Sequence, residues 1–258
     1  MTNMTINEII NIALETGKIM LKNGAETYRV EETIEKMISS RVDSPVEVFV
    51  MSTGIIISVV AEGSPFTVVS RIVSSGIDME YITRANSFSR VFTEGKMSLE
   101  EANIMLNQLK TPPRFSKKVR FICSGMAGGF VVLLFGGSFL EFSLAYLASS
   151  LTVLLTDKLS KMGFNFFIKN IIGGFIAGTL GFLLVLLMAL FSQYADYNKV
   201  IIGPLMTLVP GVALTNGIRD LISGELIAGS AKMMEALFIA IALAFGVGIV
   251  LQIVITLS

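Results

Sequence analysis

From Val119 onward the chain is a succession of apolar runs, each about as long as a bilayer is thick, and no other feature restricts its possible folds so strongly. Crossing ~30 Å of hydrocarbon takes roughly 20 predominantly apolar residues in a helix, because a helix satisfies its own backbone N–H and C=O groups where no water can. That requirement predicts five spans, near 119–137, 139–157, 170–192, 200–222 and 234–256. Residues 119–258 hold 7 Lys/Arg and 6 Asp/Glu, against 13 and 14 in residues 1–118, so the polar character is concentrated ahead of the spans. The division falls at Thr111-Pro112-Pro113-Arg114-Phe115-Ser116-Lys117-Lys118, where a Pro-Pro pair ends a helical pattern and basic residues precede the first apolar run. The expected organisation is a small cytosolic α+β domain over 1–113, followed by an α-helical polytopic membrane domain over 114–258.

Composition removes several function classes. With 20 basic and 20 acidic residues there is no net positive charge to neutralise phosphates, so no nucleic-acid partner is expected. The chain has no histidine, and Cys123 is its one cysteine. Zinc sites, Ser-His-Asp and Cys-His dyads and internal disulfides are excluded together. Gly17-Lys18 and Gly95-Lys96 lack the glycine five residues earlier that a phosphate loop requires, so neither a nucleotide nor any other cofactor or metal is expected.

In the polar part, Ile6, Ile9, Ile10, Ala13, Leu14, Gly17 and Met20 recur at helical spacing, with Thr5 and Glu8 as a capping box and Asn23-Gly24 as the stop. A second helix from about Ala25 interleaves Tyr28, Val30, Ile34, Met37 and Ile38 with charge, and Pro45 follows it. Its charged residues read as a solvated helix face with i,i+4 pairs, and equally as a ligand or partner surface. Three β-rich runs, 46–52, 54–61 and 66–73, come next, with turns at Thr53-Gly54 and Glu62-Gly63-Ser64-Pro65. Two further helices are expected over 78–93 and 98–110. The first twenty residues lack the basic start, apolar middle and cleavage site of a signal peptide, which leaves this domain in the cytosol.

Orientation follows from the basic residues. Arg114, Lys117, Lys118 and Arg120, then Lys158, Lys161 and Lys169, then Arg219 and Lys232 fall on one side of a five-span arrangement, while the alternate loops hold only Lys199. The N-terminus is therefore expected inside the cell membrane and the C-terminus outside. Gly125-x-x-x-Gly129, Gly174-x-x-x-Gly178 and Ala244-x-x-x-Gly248 let helix backbones approach, within the bundle or toward another subunit. Glu141, near the outer end of the second span, is expected to reach the headgroup region.

The fourth span differs from the rest. Pro204 and Pro210 lie inside it, and Val209-Pro210-Gly211 is expected to interrupt the helix, since proline removes a donor and disfavours helical geometry before it. At ~1.5 Å per residue the break lies about 15 Å from Val200, near the bilayer midplane, and the new helix N-terminus offers unpaired N–H groups to a carboxylate. Thr215 and Arg219 are four apart, as are Asn216 and Asp220, so these side chains share a face. Two readings follow. Arg219 and Asp220 either mark the interface and reach into water, or Pro210, Gly211, Thr215, Asn216 and Arg219 line a substrate site at which Asp220 carries a proton.

The run Leu208-Val-Pro-Gly-Val-Ala-Leu-Thr-Asn-Gly-Ile-Arg-Asp-Leu-Ile-Ser-Gly-Glu, with Gly229 to Ala236 after it, resembles the signature of the bacterial threonine/serine exporter family. Gly17, Leu21 and Gly24-Ala-Glu-Thr-Tyr-Arg-Val-Glu resemble the start of that family's cytosolic domain. The resemblance implies gradient-driven secondary export of threonine and serine, or of dicarboxylates such as succinate in two-component relatives. In single-chain members a second membrane half follows this unit, so the chain resembles the larger subunit of a split exporter and a small membrane partner is implied. The family supplies no site residues, and self-association is left open. A membrane hydrolase is disfavoured because Asp220 and Glu141 lie toward opposite faces. The alternative of a different class is a non-transporting scaffold whose cytosolic domain binds a partner.

Overall fold

The computed structural model describes residues 5–61, 64–72, 76–95, 97–111, 115–160 and 162–257. The expected Glu62-Gly63 turn, the Pro112-Pro113-Arg114 division, Lys96 and Lys161 lie outside the described residues. The described residues form ten helices and one three-stranded sheet. They fall into two compact units, Met1–Pro113 with Gly211–Glu235, and Arg114–Pro210 with Ala236–Ser258.

The first unit opens with α1 (Ile6–Lys22), started by the Thr5–Glu8 capping box, and α2 (Thr27–Ser39). Gly17 lets the two helices cross closely, since a Cβ there would collide with Ile34 and approach Val30. Gly24, at φ +88°, supplies the left-handed residue that turns the chain after α1. Strands β1 (Val46–Met51), β2 (Gly54–Ala61) and β3 (Ser64–Arg71) form an antiparallel sheet in that order, in the register Phe49↔Ile56↔Val69. Strand alternation sends Ile55, Ile57 and Val59 of β2 into the core with Ile10, Met20, Ile34 and Met37. β3 begins two residues earlier than the sequence predicts. Pro65 still pairs with Val60, because an edge strand tolerates a residue without an N–H. α3 (Met79–Thr93) and α4 (Leu99–Leu109), capped by Asp78 and by a Ser98–Glu101 box, add Phe88, Phe92 and Leu106 to the same core.

The second unit holds α5 (Lys117–Leu134), α6 (Phe139–Leu159), α7 (Phe166–Ala189), α8 (Tyr197–Met206) and most of α10 (Leu226–Leu257). Small residues set its helix contacts. A Cβ on Gly125 would meet Ser150 and Tyr146, one on Gly129 would meet Phe142, and those on Gly174 and Gly178 would meet Leu243 and Val250. These two small-residue pairs therefore serve packing inside the unit. The third does not, since Gly248 faces open space and Gly246 makes the close approach, to the backbone of Ile171, Gly174 and Phe175. Glu141 is also placed otherwise than expected. Its side chain does not reach outward but is buried, accepting from the Ser138 N–H at 2.6 Å and the Asp196 N–H at 2.9 Å, so it joins the starts of α6 and α8.

Among the described residues, Phe139–Leu159, Phe166–Ala189 and Leu226–Thr256 are long and apolar enough to cross a membrane. A fourth crossing is added if Tyr197–Met206 and Gly211–Ile222 form one broken span. α5 does not meet that measure, since Lys117, Lys118 and Arg120 take up its first turn.

Candidate functional site around the broken helix

α8 carries Pro204 in its last turn, where the Thr207 hydroxyl donates to the Pro204 carbonyl at 2.7 Å, and the helix ends at Met206. Helix resumes at Gly211 as α9 (Gly211–Ile222), so the break falls at the expected Val209-Pro210-Gly211. α9 belongs to the first unit. One face of it, Asn216, Gly217 and Asp220, is buried, and the opposite face is exposed.

The expected site residues separate into two groups. Pro210 and Gly211 stand at the break, with nothing within 4 Å of a Cβ built on Gly211, and the exposed Thr215 hydroxyl donates to the Gly211 carbonyl at 2.9 Å. Asn216, Arg219 and Asp220 are brought together around the segment Gly24-Ala25-Glu26-Thr27. The Asn216 amide donates to the Gly24 carbonyl at 2.7 Å, and Arg219 Nη1 donates to Glu26 Oε1 at 2.8 Å. Asp220 is fully buried. Its Oδ1 accepts the Thr27 N–H at 3.1 Å and its Oδ2 accepts from Lys232 Nζ at 2.7 Å, while Lys232 also donates to the Ala25 carbonyl at 3.0 Å.

This arrangement has a local cause. Glu26 is the N-cap of α2, but its side chain makes no capping bond, so the first N–H of the helix lacks a local partner. Asp220 supplies that acceptor from elsewhere in the chain and puts a negative charge where the helix dipole favours one. Lys232 reaches it because α9 and α10 touch through glycine: a Cβ on Gly229 would lie 2.8 Å from the Gly217 carbonyl oxygen. Two ion pairs result, Arg219–Glu26 and Lys232–Asp220, and Arg29 approaches Glu26 at 3.6 Å. Burial opposes charge on Glu26, yet its backbone hydrogen bond, Arg219 and Arg29 together hold the carboxyl below the usual range. Nearby, burial pushes the Glu31 carboxyl up, and Glu225, Asp220 and Glu35 push the same way against the lowering bond from the Val50 N–H.

Sequence reasoning reached Asn216, Arg219 and Asp220 but not Glu26 or Lys232 as members of the cluster. Glu26 lies 193 positions from Arg219, so no helical period can pair them. The available signal was that both stretches marked by the family resemblance carry charge of opposite sign. No group of three potential metal ligands occurs among the described residues.

Several apolar helices long enough to cross a membrane make this a multi-pass membrane protein. The chain belongs to the ThrE family, described as "Putative threonine/serine exporter", which it matches over residues 11–254. It is 23% identical to the threonine/serine exporter of Corynebacterium glutamicum over 95% of its own length and 51% of that protein's. It is 22% identical to the probable threonine/serine exporter of Mycobacterium tuberculosis, covering 95% of the chain and 46% of that relative. The chain thus spans about half the length of these exporters. Against the probable succinate transporter subunit YjjP of Klebsiella aerogenes it is 21% identical over 93% of the chain and 91% of the relative. No solved structure matches it.

Proposed function

We propose that the chain is one subunit of a secondary exporter of small metabolites, threonine and serine or a dicarboxylate such as succinate, and that a second small membrane subunit completes the pathway. The observation that carries this reading is the extent of the matches: about half of each relative named an exporter, but 91% of a relative named a transporter subunit. In this reading the membrane domain has five spans, α5 counting as the first through its apolar stretch after Arg120. Residues 1–113 and the N-terminus lie in the cytosol, and the C-terminus lies outside. The groove along α10 lined by Ala244, Gly248 and Gln252 supports a place for the partner, because among the described residues nothing lies within 4 Å of a Cβ built on Gly248.

The substrate site is assigned to the broken helix, with Pro210, Gly211, Thr215, Asn216 and Arg219 as its lining and Asp220 as the proton carrier. Support comes from the ion pairs. A substrate carboxylate competes with Glu26 for Arg219, and a proton taken by Asp220 dissolves its pair with Lys232 and releases the start of α2. The experiment is accumulation of labelled L-threonine, L-serine and succinate by inverted vesicles, with the chain alone and with a small partner subunit, before and after collapse of the proton gradient. Gradient-dependent accumulation that requires the partner is expected. Accumulation equal to empty vesicles despite verified assembly overturns the exporter reading in favour of a scaffold, and full transport by Asp220→Asn overturns the proton-carrier assignment alone.

A further inference from the structure

Sharing no lining residue with the ion-pair cluster, a cleft of about 620 Å³ in the first unit is lined by four cationic side chains, Lys18, Lys22, Arg71 and Lys110, and a single acidic one, Glu15. The chain as a whole carries no net charge, so this excess is local. The four cations converge from separate elements: the body and the C-terminal end of α1, the end of β3, and the residue following α4. Glu15 is already engaged, by Lys18 at 2.8 Å and Lys110 at 3.4 Å, and although burial opposes its charge these two lysines hold its carboxyl below the usual range. Lys22 and Arg71 have no acidic partner among the described residues.

Gathering like charges round one cavity costs free energy that a bound anion recovers, and a cleft of this size accommodates a small metabolite. Tyr81 adds a phenol at the wall, its hydroxyl donating to the Lys110 carbonyl at 3.5 Å and so steadying the segment that carries Lys110. Two cations without an acidic partner in one cleft suit a ligand with two negative charges better than one with a single carboxylate balanced by an ammonium.

We propose that this cleft is a binding site for a small dianion, a dicarboxylate or a phosphate, held by Lys22 and Arg71, with Lys18 and Lys110 closing the cation ring. The site is separate from the broken helix and its occupancy does not depend on transport, so it stands or falls apart from the exporter reading. The test is calorimetric titration of the full chain in neutral detergent with succinate, with inorganic phosphate and with L-threonine, at matched ionic strength. Saturable binding of succinate or phosphate identifies which source of the dianion the cleft accepts. That binding weakens at least tenfold in Lys22→Gln/Arg71→Gln and declines steeply with added salt, whereas Lys36→Gln, on another surface, leaves it unchanged. Both cleft side chains replaced are exposed, and an unchanged melting profile of the double variant excludes a folding defect. Absence of saturable binding by either dianion, equal binding by L-threonine, or dianion binding unaffected by the double substitution overturns the proposal.

Discussion

Replacing Lys232 by methionine isolates the contribution of the buried ion pair. The lysine side chain is 13% exposed and the Asp220 side chain 0%, so removing the cation leaves a carboxylate in the interior with only the Thr27 N–H at Oδ1 and no donor at Oδ2. Breaking a buried pair from one side typically costs ~3–5 kcal/mol. There is an upper bound: neutralising an ordinary carboxylate at pH 7 costs roughly 4 kcal/mol, and once neutral the group no longer needs the cation. The expected cost of Lys232→Met is therefore about 3–4 kcal/mol, concentrated where Asp220 and Lys232 grip the Ala25–Thr27 backbone. Hydrogen exchange of a peptide covering residues 24–30 reads this directly, since ~1.4 kcal/mol is a factor of ten in an opening equilibrium. Protection there is expected to fall by two to three powers of ten. Breaking the other pair by Arg219→Gln leaves Glu26, whose side chain is 7% exposed, with Arg29 at 3.6 Å as a remaining cation, and should cost less than Lys232→Met. Protection within threefold of the parent in Lys232→Met would refute the view that this pair holds the start of α2.

The remaining expectations concern neighbouring positions. Glu31 has a raised pKa in the folded chain, so its ionisation opposes folding: stability from this group is present below its ordinary value and lost as the pH rises through the folded value. Glu31→Gln, which keeps an acceptor for the Val50 N–H, should be neutral or stabilising in urea unfolding at pH 7 and without benefit at pH 4. Glu26 is lowered, so its contribution is present above its ordinary value and disappears as the pH falls through the folded value. Exchange protection at residues 24–30 should weaken with acid below about pH 4.5 in the parent, and less in Glu26→Gln. In the helical unit, Gly246→Ala forces a methyl against the Phe175 backbone at 2.6 Å and should cost ~1–3 kcal/mol in detergent, whereas Gly248→Ala meets nothing and should be silent in thermal melts of the chain alone.

Much of the fold was legible because local physics wrote it. The Thr5–Glu8 box, the Gly24 stop, the alternation in β2 and the break before Gly211 each depend on residues within a few positions of one another. What was not legible depends on distance. Nothing near Asp220 in the sequence shows that it caps Thr27, or that Lys232 pairs with it once α9 and α10 close on each other through Gly217 and Gly229. Glu141 was misjudged for the same reason: its second partner, the Asp196 N–H, is 55 positions away. Polar groups in apolar surroundings are placed by the donors that satisfy them, and those donors have no periodic signature.

The charge count of the cluster also bears on the proposed substrate. Arg219 and Lys232 are each matched by an internal carboxylate, Glu26 and Asp220, so the four groups sum to no net charge. A dicarboxylate entering this site must displace both internal acids, or meet both of them protonated, and it leaves two acids to be resolvated. A zwitterionic amino acid brings one charge of each sign. Its carboxylate takes Arg219 while its ammonium takes the released Glu26, and the buried Lys232–Asp220 pair need not open at all. Exchange of one pair for another of the same polarity is the less costly event in a partly desolvated site, where an unpaired charge costs far more than an exchanged one. On the proposed site, then, dicarboxylate export should be steeply favoured by acid on the loading side, because protonation of Glu26 and Asp220 prepares both cations at once. Threonine or serine export should depend on pH only through whichever step opens Asp220, so the steepness of the pH profile, measured with each substrate in the same vesicles, separates the two substrate classes.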